Sequence, residues 1–338
     1  MKTHNSDMFP EPATLSLYSA LAPLLRNSIV DDPFLFHESE STAAKRRYHF
    51  FGRLGMILVV GSTLFTVADA LLFSPSGLQN GLIDSLMILL GIVGIGLQIW
   101  LLQTKQKQRW LVNRYAAERL RSIKFQAYPL ARRARDTEEL SRIVQKFYAA
   151  QIMRLQMELN ARDAVLAMFS PASSVILRDV FAKSSNDVLC ALASDAYKDL
   201  RINYQKRFAA DESKILQGRR RLGYASADLL YVTGVLLVFA ALIIRIFFLS
   251  SVDLSRWIDF FAIAAFVLGL AKSLIDNASL SETSEVRYEQ YVKSLETSET
   301  RSALLGASFG EIVRDIECVV LEELSQFCLE ADRISYRL

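Results

Sequence analysis

A chain of 338 residues that is 51% apolar and 22% charged, with a mean hydropathy of +0.21, has to separate strongly apolar segments from strongly charged ones, which excludes a uniform soluble globule. Its 39 basic and 36 acidic side chains leave a formal charge of +3, too balanced to mark a nucleic-acid binder by net charge alone. Three cysteines, Cys190, Cys318 and Cys328, have none of the close pairs or histidine neighbours that zinc needs and read as reduced core residues in a cytosolic setting.

Residues 1–37 form an N-terminal cytoplasmic segment with acidic residues near its start and no continuous apolar run, so it does not read as a signal peptide. The stretch Leu15 to Leu25 is amphipathic and suits a partner or the membrane surface. Residues 38–165 form a first hairpin module. The basic run Lys45-Arg46-Arg47 precedes an apolar stretch from about Leu54 to Phe73, and a second runs from about Leu82 to Leu102. Residues 166–338 form a second module, with a long charged leading helix from about Ser173 to Tyr224. That helix carries Arg219-Arg220-Arg221 and feeds apolar stretches from about Leu229 to Leu249 and Trp257 to Ile275. Each stretch approaches the roughly 20 residues a helix needs to cross a bilayer. The expected fold is therefore an all-α membrane protein of two transmembrane hairpins, four spans in all, with a long helical cytoplasmic bundle. Lysine and arginine crowd the outer flanks of each pair while the loop 74–81 has neither, so both termini are expected in the cytoplasm.

The two modules read as a tandem repeat. Glu38-Ser39 recurs as Glu212-Ser213, 174 residues on, each followed seven residues later by the basic triplet. Arg114-Tyr115 and Arg287-Tyr288 follow the two hairpins, and the segments beginning at Glu139 and Glu311 match at a nearly equal offset.

The order of features resembles the bacterial SLATT family, the two-span effector domains associated with SMODS nucleotidyltransferases and SLOG proteins, and looks like related membrane proteins of a domain family without assigned function. The resemblance is carried by Lys45-Arg46-Arg47-Tyr48, by Trp110-Leu-Val-Asn-Arg114-Tyr115-Ala-Ala-Glu118-Arg119-Leu120-Arg121-Ser122, and by Val320-Leu321-Glu322-Glu323-Leu324. It covers residues 38–160 and again 205–335, whereas one hairpin per chain is the family's usual pattern. What it implies is a pore-forming effector of bacterial antiphage defence in the inner membrane, assembled as a homo-oligomer and triggered by a cytoplasmic sensor or signalling partner.

No residue set for catalysis, metal or cofactor stands out. His4, His37 and His49 lack carboxylate or cysteine neighbours, and Gly91, Gly94 and Gly96 follow no strand, so they suit close helix approach rather than a dinucleotide loop. Polarity at the membrane is the remaining candidate. Asp69 and Asp84 flank one hairpin mouth and either form an acidic collar in a ring of subunits or mark where the spans end. Ser62, Thr63 and Thr66 either line a wet path or bond back to their own carbonyls. Arg245 either snorkels or pairs with Asp253 or Asp259, and Lys272 lies one turn from Asp276. The basic triplets set topology and touch anionic lipid. A nucleotide partner is the less favoured use of them, because aromatic residues do not alternate with the arginines. A pore, a membrane-anchored scaffold or sensor without conduction, and a transporter are the functional classes to weigh. The transporter is disfavoured by the lack of midspan charges and broken helices.

Overall fold

A computed structural model describes residues 5–69, 71, 81–160, 187–247, 252–277 and 281–333, and among them every regular element is helical. Short helices α1 (Pro12–Leu17) and α2 (Ala22–Leu25) lead into α3 (Ser28–Ala68), α4 (Gly81–Gln103), α5 (Gln106–Gln126) and α6 (Thr137–Asn160). Then α7 (Asp187–Tyr197) passes through a five-residue π-helical segment, Lys198–Ile202, into α8 (Asn203–Phe247). It is followed by α9 (Val252–Asn277), α10 (Ser281–Leu304) and α11 (Phe309–Arg333). The expected leading helix of the second module is thus present from Asp187 onward, while its first part lies outside the described residues.

The element order runs twice. Lengths of 41, 23, 21 and 24 residues for α3 to α6 are followed by 45, 26, 24 and 25 for α8 to α11. Glu139 and Glu311 have the same local job at the heads of α6 and α11. Asp136 caps α6 by accepting from the Glu139 N–H at 2.8 Å while Glu139 accepts from the Arg135 N–H, and at the head of α11 Glu311 accepts from both the N–H and the hydroxyl of Ser308, at 2.7 and 2.9 Å. Before α11 the chain turns through a Schellman motif, with Gly306 at φ 61° and the Ala307 N–H bonded to the Ser302 carbonyl. At the head of α3, Asn27 accepts from the Ile29 N–H, and Asp31 reaches back to the Asn27 N–H.

The chain divides into two compact units. One comprises Met1–Ala43, Gln108–Lys214 and Thr283–Asp332, and the other Ala44–Lys107, Ile215–Glu282 and Arg333–Leu338. The first is a helical bundle with its own core. Phe125 stacks on Tyr128, Tyr197 packs edge-on against Phe125, Tyr128 and Phe309, and the amphipathic α11 buries Val313, Ile316, Val320, Leu321 and Leu324. The N-terminal segment belongs to this core. Met8, Leu21, Leu24 and Leu25 are fully buried, so the later part of the Leu15 to Leu25 stretch packs into the protein's own interior, while Leu17 is exposed. Among the cysteines only Cys328 is a core residue; Cys190 is half-buried and Cys318 exposed.

The second unit holds the apolar helices. Two stretches are long and apolar enough to cross a membrane, Ser28–Ala68 with a mean hydropathy of 1.7 and Ser85–Arg133, which takes in most of α4, with 2.2. Only 17% and 11% of their apolar windows are buried, whereas an interior helix of a soluble protein would be mostly covered. Among the described residues only these two pass, so a crossing by α8 and α9 goes beyond them. Within the first hairpin, Gly55 and Gly94 let α3 and α4 touch, since a Cβ on Gly94 would lie 2.9 Å from the Gly55 carbonyl oxygen. Gly234 does the same for α8 against Ala262 and Phe266 of α9.

Candidate functional site

Charged side chains inside the first unit form one continuous alternating chain. Spacings of four and three residues put Arg114, Glu118 and Arg121 on one face of α5. Arg114 reaches Glu38 of α3 at 3.2 Å and Glu118 at 2.6 Å, and Arg121 bonds Glu118 at 3.1 Å. The Arg121 Nε lies 3.4 Å from Asp7 of the N-terminal segment, whose other neighbour is Arg201 Nη1 at 3.8 Å. Arg201 closes the chain with a two-pronged pair to Glu317 of α11, at 2.8 and 2.9 Å, in which the Tyr197 hydroxyl joins at 3.2 Å. Neither Arg201 nor Glu317 has any solvent exposure, and the guanidinium lies over the Phe125 ring at 4.8 Å.

Two branches leave this line. Lys124, fully buried, spends its three N–H donors on the Met8 carbonyl, the Leu25 carbonyl and Asp31, at 2.7, 2.8 and 2.8 Å, tying both ends of the N-terminal segment to the head of α3. Arg287, the second-module counterpart of Arg114, bonds Glu323 and Glu330 of α11 and sits over the rings of Tyr288 and Phe327. Each repeated Arg-Tyr pair therefore supplies a hub for two carboxylates, on different partners in the two copies.

Burial sets the electrostatics. It would push the Glu118 carboxyl up, but the guanidiniums of Arg114, Arg121 and Arg201 overcome it and hold the group below the usual carboxylate range. Glu323 goes the other way, raised by burial despite Arg287. Lys124 is lowered, because desolvation outweighs Asp31.

The sequence-predicted residues fall elsewhere. Thr63 and Thr66 do bond back, to the Val59 and Ser62 carbonyls, whereas Ser62 donates across the hairpin to the Met87 carbonyl at 2.8 Å. Of the glycines in α4, Gly91 and Gly94 face α3, while Gly96 meets nothing. Asp69 is half-buried at the end of α3; the side chains of Asp84, Arg245 and Arg219, Arg220 and Arg221 lie outside the described residues. Asp259 and Lys272 are half-buried on α9, and Lys45, Arg46 and Arg47 are exposed on α3. His37 bonds Asn113, and burial, then Lys45 and Arg53, lowers His49 to about 4, so its ring is neutral at pH 7. No three metal-ligating side chains cluster among the described residues.

Asp7, Arg201 and Glu317 were not among the residues singled out by sequence. Glu317 had a signal, a carboxylate placed within the apolar stripe of Val313, Ile316 and Val320; Asp7 had none. Arg114 was marked by the repeated Arg-Tyr pair as well as by the family-like stretch, and Glu118 and Arg121 only by that stretch. No protein-family model, curated protein or solved structure matches the chain.

Proposed function

We propose that the chain is a four-span, inner-membrane effector of bacterial antiphage defence, whose hairpins assemble from several subunits into or around an ion-permeable pore under control of the helical unit. The observation that carries it is the pairing of two features. A charged bundle spends its ionisable groups on one another in a buried chain, and α3 and α8 run unbroken from residues of that bundle, Glu38 and Asn203, into exposed apolar stretches. Such a bundle suits signal reception better than chemistry. The resemblance to SLATT effectors supplies the defence setting, the homo-oligomer and the partner sensor. Apolar residues continuing around α8 and α9 support the third and fourth crossings, and the exposed Lys45-Arg46-Arg47 suits the anionic inner leaflet, with both termini cytoplasmic.

A membrane-anchored scaffold without conduction is the second reading. It is favoured by one observation: the hydroxyl protons of Ser62, Thr63 and Thr66 are all committed to backbone carbonyls, leaving no donor among them for a water path. Expression in bacteria with a membrane-potential dye separates the two. Depolarisation that disappears when Asp69→Asn and Asp84→Asn are combined supports the pore, and an unchanged potential under every trigger supports the scaffold.

A further inference from the structure

The weakest joint of the ion chain is its centre. Asp7 is 1% exposed, yet neither of its carboxylate oxygens has a hydrogen-bond partner, and the two atoms facing it, Arg121 Nε and Arg201 Nη1, have none either. At 3.4 and 3.8 Å both guanidiniums stop short of it. Along the line and its Lys124 branch, Asp7 is also the surplus charge. With it set aside, Glu38, Glu118, Glu317 and Asp31 balance Arg114, Arg121, Arg201 and Lys124. The segment carrying it enters from the surface, half-buried at Asn5 and Ser6 and fully buried at Asp7 and Met8. Its polar anchors are the Arg121 bond to the Asn5 side chain, the Asn5 N–H bond to the Tyr204 hydroxyl and the Lys124 bond to the Met8 carbonyl.

We propose that Arg121, Lys124 and Arg201 form an oxyanion site that Asp7 fills from within, and that a soluble phosphate-bearing molecule displaces the Asn5–Phe9 tip to occupy it. A phosphate group is larger than a carboxylate and offers oxygens in three directions, so it reaches donors that Asp7 leaves unmade. Displacement frees two more donors, an Arg121 N–H and the third Lys124 N–H, and uncovers the Tyr204 hydroxyl, which accepts from the Asn5 N–H while the tip is in place. The Tyr128 hydroxyl, buried and without a partner, lies near enough to feel the Asp7 charge. Because tip and ligand compete, the apparent affinity of the intact chain is the affinity of the open site multiplied by the fraction of time the tip is out.

The test uses the full chain in neutral-detergent micelles, with pyrophosphate as the probe and sodium chloride at matched ionic strength as the control. Asp7→Ala is expected to bind pyrophosphate on the order of tenfold more tightly than the parent by thermal shift, and Asp7→Asn, which keeps the volume, at least several-fold. In the parent, saturating pyrophosphate speeds amide exchange at Asn5–Phe9 and leaves α6 and α11 protected. Arg201→Lys placed on Asp7→Ala retains the charge facing Glu317 but removes the planar fork, and cancels the gain. Equal affinity in the parent and both Asp7 variants overturns the proposal. So does a gain untouched by Arg201→Lys, or tip release driven by phosphatidylglycerol in mixed micelles and not by pyrophosphate.

Discussion

Arg201 and Glu317 show how much a single buried pair asks of its surroundings. Both are sealed from water, and the pair survives because the two-pronged geometry, the Tyr197 hydroxyl and the Phe125 face replace the lost hydration. Removing one partner strands the other. Glu317→Leu alone is expected to destabilise the bundle by about 3–5 kcal/mol, whereas Glu317→Leu with Arg201→Met should recover most of that loss, which denaturant unfolding of the four members of the cycle measures. A loss in the double variant equal to the sum of the singles would show that the pair contributes no coupling. Residues of this kind are hard to find from sequence, since a lone glutamate in an apolar stripe is legible only once its arginine is known. Arg201, in a segment dense with surface charge, carries no mark of its burial at all.

Helices were the most legible scale. The apolar stretches and the recurrence of Glu139 at Glu311 can be read from spacing, because capping and hydrophobic period are local properties. Pairing between helices is not local, and the glycines show the limit. Gly91, Gly94 and Gly96 look alike in sequence, but a Cβ on Gly94 would press on Val59 at 2.8 Å and on the Gly55 carbonyl at 2.9 Å, while one on Gly96 meets open space. Gly94→Val is therefore expected to cost the first hairpin about 1–3 kcal/mol and to abolish cysteine cross-linking between α3 and α4, with Gly96→Val neutral in the same assay. Similarly, the amphipathic pattern of Leu15 to Leu25 was legible, but whether a lipid surface or the chain's own bundle covers it depends on partners distant in sequence.

For the bundle as a whole, acid stability is set by opposed carboxyls. Glu118 is held below its ordinary 4.5, so the stability it contributes is fully present above pH 4.5 and is lost as the pH falls through its lower folded value. Glu323 is raised, so the folded state keeps its proton longer than the unfolded chain does, and its effect is a loss of stability as the pH climbs from 4.5 through its higher folded value. In Tm against pH for the full chain in detergent, Glu118→Gln should flatten the acid limb and Glu323→Gln should raise the neutral plateau relative to pH 4. Parallel curves for all three proteins would mean that neither carboxyl is linked to folding.

The π-helical segment at Lys198–Ile202 adds one residue to an otherwise α-helical rod running from Asp187 to Phe247. One residue amounts to about 100° of azimuth in a helix of 3.6 residues per turn. The side chains of α8 from Asn203 to Lys214 are therefore clocked a quarter-turn or more away from where an uninterrupted α-helix would aim them, so that the burial of Gln205, Ala209 and Ser213 in the bundle is dictated at the turn that also carries Arg201.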